Sequence, residues 1–360
     1  MPFLPPEALA DESSLAAAAL RAVDLAKGGD SRSGLVLALQ ARSRAQDLEI
    51  GDGEARALNA AAIVHLMRRD AISAIAAAMD ASELARRSGE RSLLGHARVS
   101  LGMSAAMLHG GEHLARQIVA CVEDAVAMGD TALEIRARAA LGILKGDNGD
   151  FDGAAAELHR ALALSRVHAS VTSPSRILAN IANLRRKQAT ALRQARSFAE
   201  AKRECVAAMA LALEACAEAA MEGSVLVEID ALAISGSLQR LQGRLRAARA
   251  LLRESIALAR ASRCGSAIAW VLCELGALEL EADAFAAARQ AYADALEVSV
   301  ELRPNCKIAT ACLGLAEAEA RAGNAEAAGR WLRRWASERD EYEKSRLRTQ
   351  RTLEQLALAA

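Results

Sequence analysis

Residues 141–162 read LGILKGDNGDFDGAAAELHRAL. Two stretches rich in Ala and Leu flank Asn148-Gly149-Asp150, and Phe151 opens the second of them. Ala has the highest helix propensity, Leu loses little rotamer freedom in a helix, and Asn, Gly and Asp supply turns. The stretch predicts a helix, a tight turn and a second helix. Its small residues keep a fixed register: Gly142, then Ala154 twelve residues on, then Ala161 seven further.

The same register recurs along the chain in Ala22, Gly34, Ala41; Ala62, Ala74, Ala81; Ala189, Ala201, Ala208; Gly236, Ala248, Ser255; Gly276, Ala288, Ala295; and Ala316, Ala328, with Trp335 in the last slot. An Ala-rich chain gives such matches easily, so rarer residues are the better check. The chain has four Phe, and Phe151, Phe198 and Phe285 each fall nine residues after the small residue of their unit, with Leu245 in that slot elsewhere. Turn residues stand seven after it: Gly29, Gly149, Gly243, Asp283 and Gly323. The small residues belong where two helix backbones approach, and Phe is expected to close the top of the second helix against the first. One helix pair cannot bury its apolar face alone, so the units should stack into a superhelix.

The third unit departs from the pattern: Gly102 is in place, but Leu114 stands where a small residue belongs, and His109-Gly110-Gly111 suggests a slipped turn. The four-residue spacing of His109 and His113 would suit a metal on a helix, but the two glycines between them favour a turn. Pro174 should separate two helices with a loop, and Gly223 alone interrupts the segment between Ala208 and Gly236, so the helices there should be longer. Gly51-Asp52-Gly53 and Ser262 to Gly265 are expected as turns between units.

Composition agrees. Hydrophobic residues are 52% and aromatics 2% of the chain, the surplus being mainly Ala and Leu, so the class is all-α. Lys and Arg total 45 against 45 acidic residues, which leaves no overall field to draw the chain to nucleic acid or anionic lipid. No apolar run approaches a membrane span, and the N-terminus lacks the basic and apolar stretches of a secretory signal. Seven Cys without a C-x-x-C pair fit reduced thiols in a cytoplasmic protein. Cys121, Cys205, Cys216, Cys273 and Cys312 fall in helical segments as packing thiols, whereas Cys264 and Cys306, near turns, are the candidates for surface oxidation.

With Leu141-Gly142, Asn148-Gly149-Asp150-Phe151, Ala154 and Ala161-Leu162, the repeat resembles the tetratricopeptide family over residues 13–340. Its spacing of 40, stretching to 47 around Phe198, is similar to the long-helix arrays of bacterial regulators and diguanylate cyclases. The resemblance implies a right-handed α-solenoid of eight helix pairs, with residues 1–12 as an extension and 341–360 as a connecting helix. It also implies that the first helix of each unit lines a concave groove. The groove positions are then Arg136 in the fourth unit, Asn183, Arg186, Thr190 and Arg193 in the fifth, and Asp230, Ser237 and Arg240 in the sixth. Ala16, Ala19 and Val23 precede this polar, net basic tract, and apolar Trp270, Cys273, Ala277 and Leu280 follow it.

That sequence of surfaces suits an extended peptide with an acidic group and an apolar anchor, because Arg forks bind carboxylates and Asn pairs with peptide groups. A merely solvated surface would give the same spacing of Arg. The Lys/Asn clamp of chaperone-binding members is missing. There is no phosphate loop, nucleophile elbow or zinc-protease motif, so no enzyme activity and no cofactor are expected. Trp331 and Trp335 should cap the last unit. Beyond them Tyr342, Leu353 and Leu356 are sparse on a single long helix, too little to pack wholly on the solenoid, which leaves self-association through this C-terminal helix open. The leading expectation is a non-enzymatic scaffold or regulator that binds a protein or peptide. The other is the ligand-sensing lobe of a cyclase or kinase whose catalytic domain lies elsewhere.

Overall fold

A computed structural model of the chain describes residues 5–107, 112–168, 172–262, 264–300 and 306–359. The described residues hold sixteen α-helices and no strand. In pairs they are α1 (Glu12–Lys27) with α2 (Ser31–Asp47), α3 (Gly51–Met67) with α4 (Ala71–Ser88), and α5 (Arg91–Met107) with α6 (Glu112–Met128). Next come α7 (Thr131–Asp147) with α8 (Phe151–Val167), α9 (Pro174–Gln194) with α10 (Phe198–Glu222), and α11 (Val225–Leu241) with α12 (Leu245–Ala261). The last are α13 (Gly265–Glu281) with α14 (Phe285–Val300) and α15 (Cys306–Arg321) with α16 (Ala325–Ala359). The result is a right-handed α-solenoid of eight helix pairs.

The small residues do what their spacing predicts. Ala22, Ala62 and Ala189 on first helices, and Ala74, Ala154, Ala208, Ala248 and Ala288 on second helices, are completely buried. A Cβ on Gly34 would stand 2.4 Å from the backbone oxygen of Ala22. At Gly102, Gly142, Gly236 and Gly276 the space is taken by Ile118, Leu158, Leu252 and Tyr292, each sixteen residues downstream on the second helix. One large side chain of each such pair therefore fills the hollow left by its glycine. The slot seven after the small residue has positive φ in every described unit: Gly29, Gly149, Gly243 and Gly323, but also Asp283 (φ 55°), Arg69 (φ 57°) and Arg196 (φ 62°). His109, which would hold that slot in the third unit, lies outside the described residues with the rest of its turn.

Some expectations need correction. Phe151, Phe198 and Phe285 are the first residues of α8, α10 and α14. Side chains in a helix tilt toward its N-terminus, so those at the first position project past the helix end. Phe151 and Phe285 are half-buried, and Phe198 is 62% exposed rather than closing a core. Gly51 to Gly53 form the first turn of α3; the inter-unit turn is at Leu48–Ile50, with Glu49 at φ 56°. Pro174 begins α9 at its first position, where the missing N–H costs nothing. Gly223 ends the 25-residue α10 in the left-handed conformation. Cys264 is buried, with its thiol 3.7 Å from the Gly29 carbonyl, and burial pushes its pKa up to about 11. The side chain of Cys306 lies outside the described residues.

Odd-numbered helices pack on one another from unit to unit, while the even-numbered ones splay apart, which bends the array with the odd helices inside. The curvature carries the first two units back against the sixth and seventh. The turn at Gly29 meets Ser262 and Cys264, and the α3–α4 turn places Arg69 over the Trp270 ring at 5.4 Å and 3.4 Å from Asp230. Met67 joins the apolar cluster of Val271 and Leu272 beside them. At the far end Trp331 and Trp335 pack against the same cluster, as expected. α16 continues until Tyr342 reaches Ala71 and Ile75 on α4 and donates to the Met107 carbonyl at 3.3 Å, while Leu347 stays 44% exposed.

Candidate functional site

The polar positions on α7, α9 and α11 fall into three groups of different character. Arg136 is buried between α5 and α7. Its guanidinium donates to the His96 carbonyl at 3.0 Å, to His96 Nδ1 at 3.3 Å and to Ser100 Oγ. Burial lowers its pKa to about 10, and burial first, then the Arg136 charge, holds His96 near 4. A neutral His96 can accept that bond, so Arg136 works as a fastener between helices.

Asp230 belongs to the closure. It takes Arg176 of α9 at 2.6 Å and Arg69 at 3.4 Å. The expected apolar end of the groove is closed as well. Trp270 lies beneath Arg69, and Cys273 and Leu280 are buried at 6% and 4% exposure.

The third group is a contiguous polar cluster across α9, α11 and α13. Its hub is Glu274, which the sequence pattern did not mark because it lies two residues before Gly276 rather than at a counted groove position. Glu274 Oε2 accepts from Ser237 Oγ at 2.8 Å and from Arg240 at 3.4 Å. Glu281, seven residues on, takes the other arm of Arg240 at 2.6 Å. Burial raises the Glu274 pKa, but Arg186, Arg240, the Ser237 bond and Lys307 outweigh it and leave it below the usual carboxylate range. Those same two carboxylates, with burial opposing them, push Arg240 up. Glu274 and Glu281 on α13 repeat the seven-residue spacing of Arg186 and Arg193 on α9, with α11 packed between the two helices, and that repeated spacing is the sequence signal for the stripe.

Arg186 differs from the other guanidinium groups. Burial lowers its pKa, and its bonds go to a neutral group, with Nε and Nη2 donating to Asn183 Oδ1 at 3.1 and 2.9 Å. Thr190 Oγ1 caps its carbonyl at 2.9 Å, and exposed Arg193 reaches across to the Leu241 carbonyl. Arg240 Nε is buried without a hydrogen-bond partner. The cluster therefore gathers three cations, Arg186, Arg240 and Lys307, around two carboxylates. A desolvated cation whose hydrogen bonds go only to amide oxygen, even with Glu274 nearby, attracts an anionic acceptor more strongly than an exposed one.

No group of His, Cys, Asp and Glu among the described residues could hold a metal, and no helix there is long and apolar enough to cross a membrane. A cavity of about 430 Å³ between α12, α13 and α14 has an apolar floor at Ile256, Leu272 and Leu275. On its rim, Glu279 is already held by two bonds of 2.6 Å from Arg249.

No family model matches the chain, and no curated protein matches its sequence. Solved structures do resemble it. The quorum sensor NprR from B. thuringiensis, in its apo form, superposes with a TM-score of 0.54 at 11% identity, over 82% of this chain and 80% of that one. A Rap protein complexed with Competence and Sporulation Factor gives 0.52 at 13% identity, over 90% of this chain and 74% of that one. At these identities the likeness concerns the fold, which is a helical repeat of the tetratricopeptide type.

Proposed function

We propose that the chain is a non-enzymatic binding module whose concave cluster on α9, α11 and α13 holds an acidic group of a protein or peptide. The observation that supports this most is Arg186, a buried guanidinium whose hydrogen bonds go to a neutral amide beside Arg240 and Glu274. Asn183, with its Oδ1 engaged by Arg186, has its amide N–H end left to face an acceptor. Ser237, Arg240 and Glu274 set the geometry, and Arg193 and Thr190 flank it. Arg136 and Asp230, both on the original tract, serve the scaffold in this reading. The two structural relatives lend general support, since one of them was solved with a bound factor. Seven Cys without a C-x-x-C pair support a cytoplasmic location in this reading, and the division at 12 and 340 into extension, array and connecting helix is likewise our proposal.

Fluorescent peptides with acidic residues or a free carboxylate, compared with their amidated neutral counterparts, test the site directly. Arg186→Gln removes the cation without unpairing Glu274 from Arg240. Losing one charge-assisted bond of about 1.5–3 kcal/mol should weaken the acidic peptides by roughly tenfold or more. Binding should also weaken as salt rises. Equal binding by Arg186→Gln, or no preference for acidic over neutral peptides, would discard the proposal.

A further inference from the structure

The second helices of the array face outward, and one of them is unlike the rest. α10 spans 25 residues, against 16 to 18 for the second helices α2 to α14 other than itself. Its buried side is the small-residue stripe of Ala201, Cys205, Ala208, Ala212, Ala215 and Ala219. Away from it Phe198, Val206, Leu213 and Met221 are 62%, 60%, 57% and 81% exposed. No other helix has more than two exposed large apolar residues among those described. At 100° per residue the four fall within one sector of the helix, with exposed Ala210 and Ala217 between them.

Their placement has a symmetry. Phe198 and Met221 are equidistant from the helix centre at Met209–Ala210, and so are Val206 and Leu213. An antiparallel copy of α10, related by a two-fold axis through that centre, would set Val206 against Leu213, which point about 20° apart, and leave Phe198 and Met221, each about 70° to one side, along the two edges of the contact. Charge follows the same axis. Near the start of the helix Lys202 and Arg203 are exposed, and Arg203 has Glu200 no nearer than 3.9 Å. Toward its end Glu214 and Glu218 share Arg166, at 2.7 Å and 3.9 Å, while Glu222 accepts from Ser175 Oγ. Burial raises the Glu218 pKa, Arg166 opposes it, and the acidic neighbours Glu214 and Glu222 add to the rise. Antiparallel pairing brings the basic start of each helix beside the acidic end of the other, twice per dimer.

We propose that α10 is a self-association surface, on which a second copy of the chain docks its own α10 antiparallel in an isologous two-fold dimer. Val206 and Leu213 form the centre of the contact and Phe198 and Met221 its edges, and Lys202 and Arg203 pair with Glu214 and Glu218 of the second copy. A helix of this length offers a face of about 37 by 10 Å, roughly half the 800 Å² per partner of a standard interface. Assembly is thus expected at micromolar concentrations and to weaken with salt.

Sedimentation velocity of the full chain from about 1 to 200 μM reads this. The wild type should pass from monomer to dimer in that range. Leu213→Glu should weaken the dimer tenfold or more with an unchanged helical signal. Lys202→Glu/Arg203→Glu and Glu214→Lys/Glu218→Lys should each stay monomeric alone yet dimerise when mixed, since each end then meets opposite charge. That mixing result does not depend on Leu213→Glu folding. A monomer throughout the range, a dimer indifferent to Leu213→Glu and lost instead by Leu347→Glu on α16, or no recovery on mixing would each overturn the proposal.

Discussion

Gly34→Ala adds one methyl group at the tightest approach between α1 and α2. The new Cβ would lie 2.4 Å from the Ala22 carbonyl oxygen and 3.4 Å from the Ala26 nitrogen. Both are backbone atoms inside a helix, so neither can turn aside as a side-chain end would. Relief requires α2 to move off α1 by about 1 Å, loosening Ala22, Ala38 and Ala41, which are all completely buried. Overpacking of this kind costs about 1–3 kcal/mol, against a gain of up to about 1 kcal/mol for Ala over Gly in a helix. The net expectation is a loss of about 1–2 kcal/mol. Gly329→Ala in α16 is the counterpart, because its nearest neighbour is the mobile Arg333 end at 3.7 Å. There the helix gain should stand alone, stabilising by about 0.5–1 kcal/mol. Urea unfolding followed by circular dichroism gives the sign of each change, and hydrogen exchange should localise the Gly34 effect to α1, α2 and α3. If Gly34→Ala proves neutral or stabilising like Gly329→Ala, the close-approach account of the repeat is wrong.

Phe151→Ala and Phe285→Ala, both half-buried, should lose about 1–3 kcal/mol, below the range for a full core Phe, while Phe198→Ala should leave dilute monomer stability within about 0.5 kcal/mol; thermal unfolding ranks the three. His96 has its pKa depressed from 6.5 to about 4, so between those values the unfolded chain binds a proton that the folded chain refuses. Stability should be full above pH 6.5 and fall as pH drops toward 4, and His96→Gln should flatten that slope in unfolding midpoints measured against pH. Arg69→Ala removes the contacts to Trp270 and Asp230, about 1–2 kcal/mol together. Scattering should show an expanded particle that Arg196→Ala, in the same left-handed slot but away from the closure, does not produce. Thiol labelling of the folded protein should leave Cys264 unmodified under conditions where an exposed thiol reacts, since its pKa is near 11.

What could be read from the residues was whatever depends on spacing along one helix. The small-residue register and the turn slot emerged because Ala and Gly sit at fixed intervals, and the structure shows those intervals as close contacts or φ angles, whereas the Phe interval marks only the start of a helix. Arg69 and Arg196 escaped notice because Arg is not a turn residue, although the backbone there is the same as at Gly149. The partners of the glycines, Leu158 and Tyr292 among them, were hidden because a large apolar residue is unremarked in any helix. The site was legible on one side only. Asn183, Arg186 and Arg240 were marked as groove residues, but Glu274 and Glu281 reach them from the next helix. A count along α11 cannot see which face α13 turns toward it. Likewise nothing local announces that Trp270 will be covered by a turn two hundred residues earlier in the chain.

That covering turn changes what kind of object the array is. In an open row of repeats, a disturbance at one end must travel through every intermediate unit to reach the other, and the ends can fray separately. Here Gly29 touches Cys264, and Arg69 touches Trp270. The second unit therefore borders the first and third along the chain and the seventh through space. A loop of neighbours offers two routes between any pair of sites, so strain placed at the α9–α13 cluster is felt at the N-terminal units without crossing those between. Such an arrangement trades the independence of a row for the shared fate of a circuit. N-terminal units that would otherwise melt first are held by the sixth and seventh.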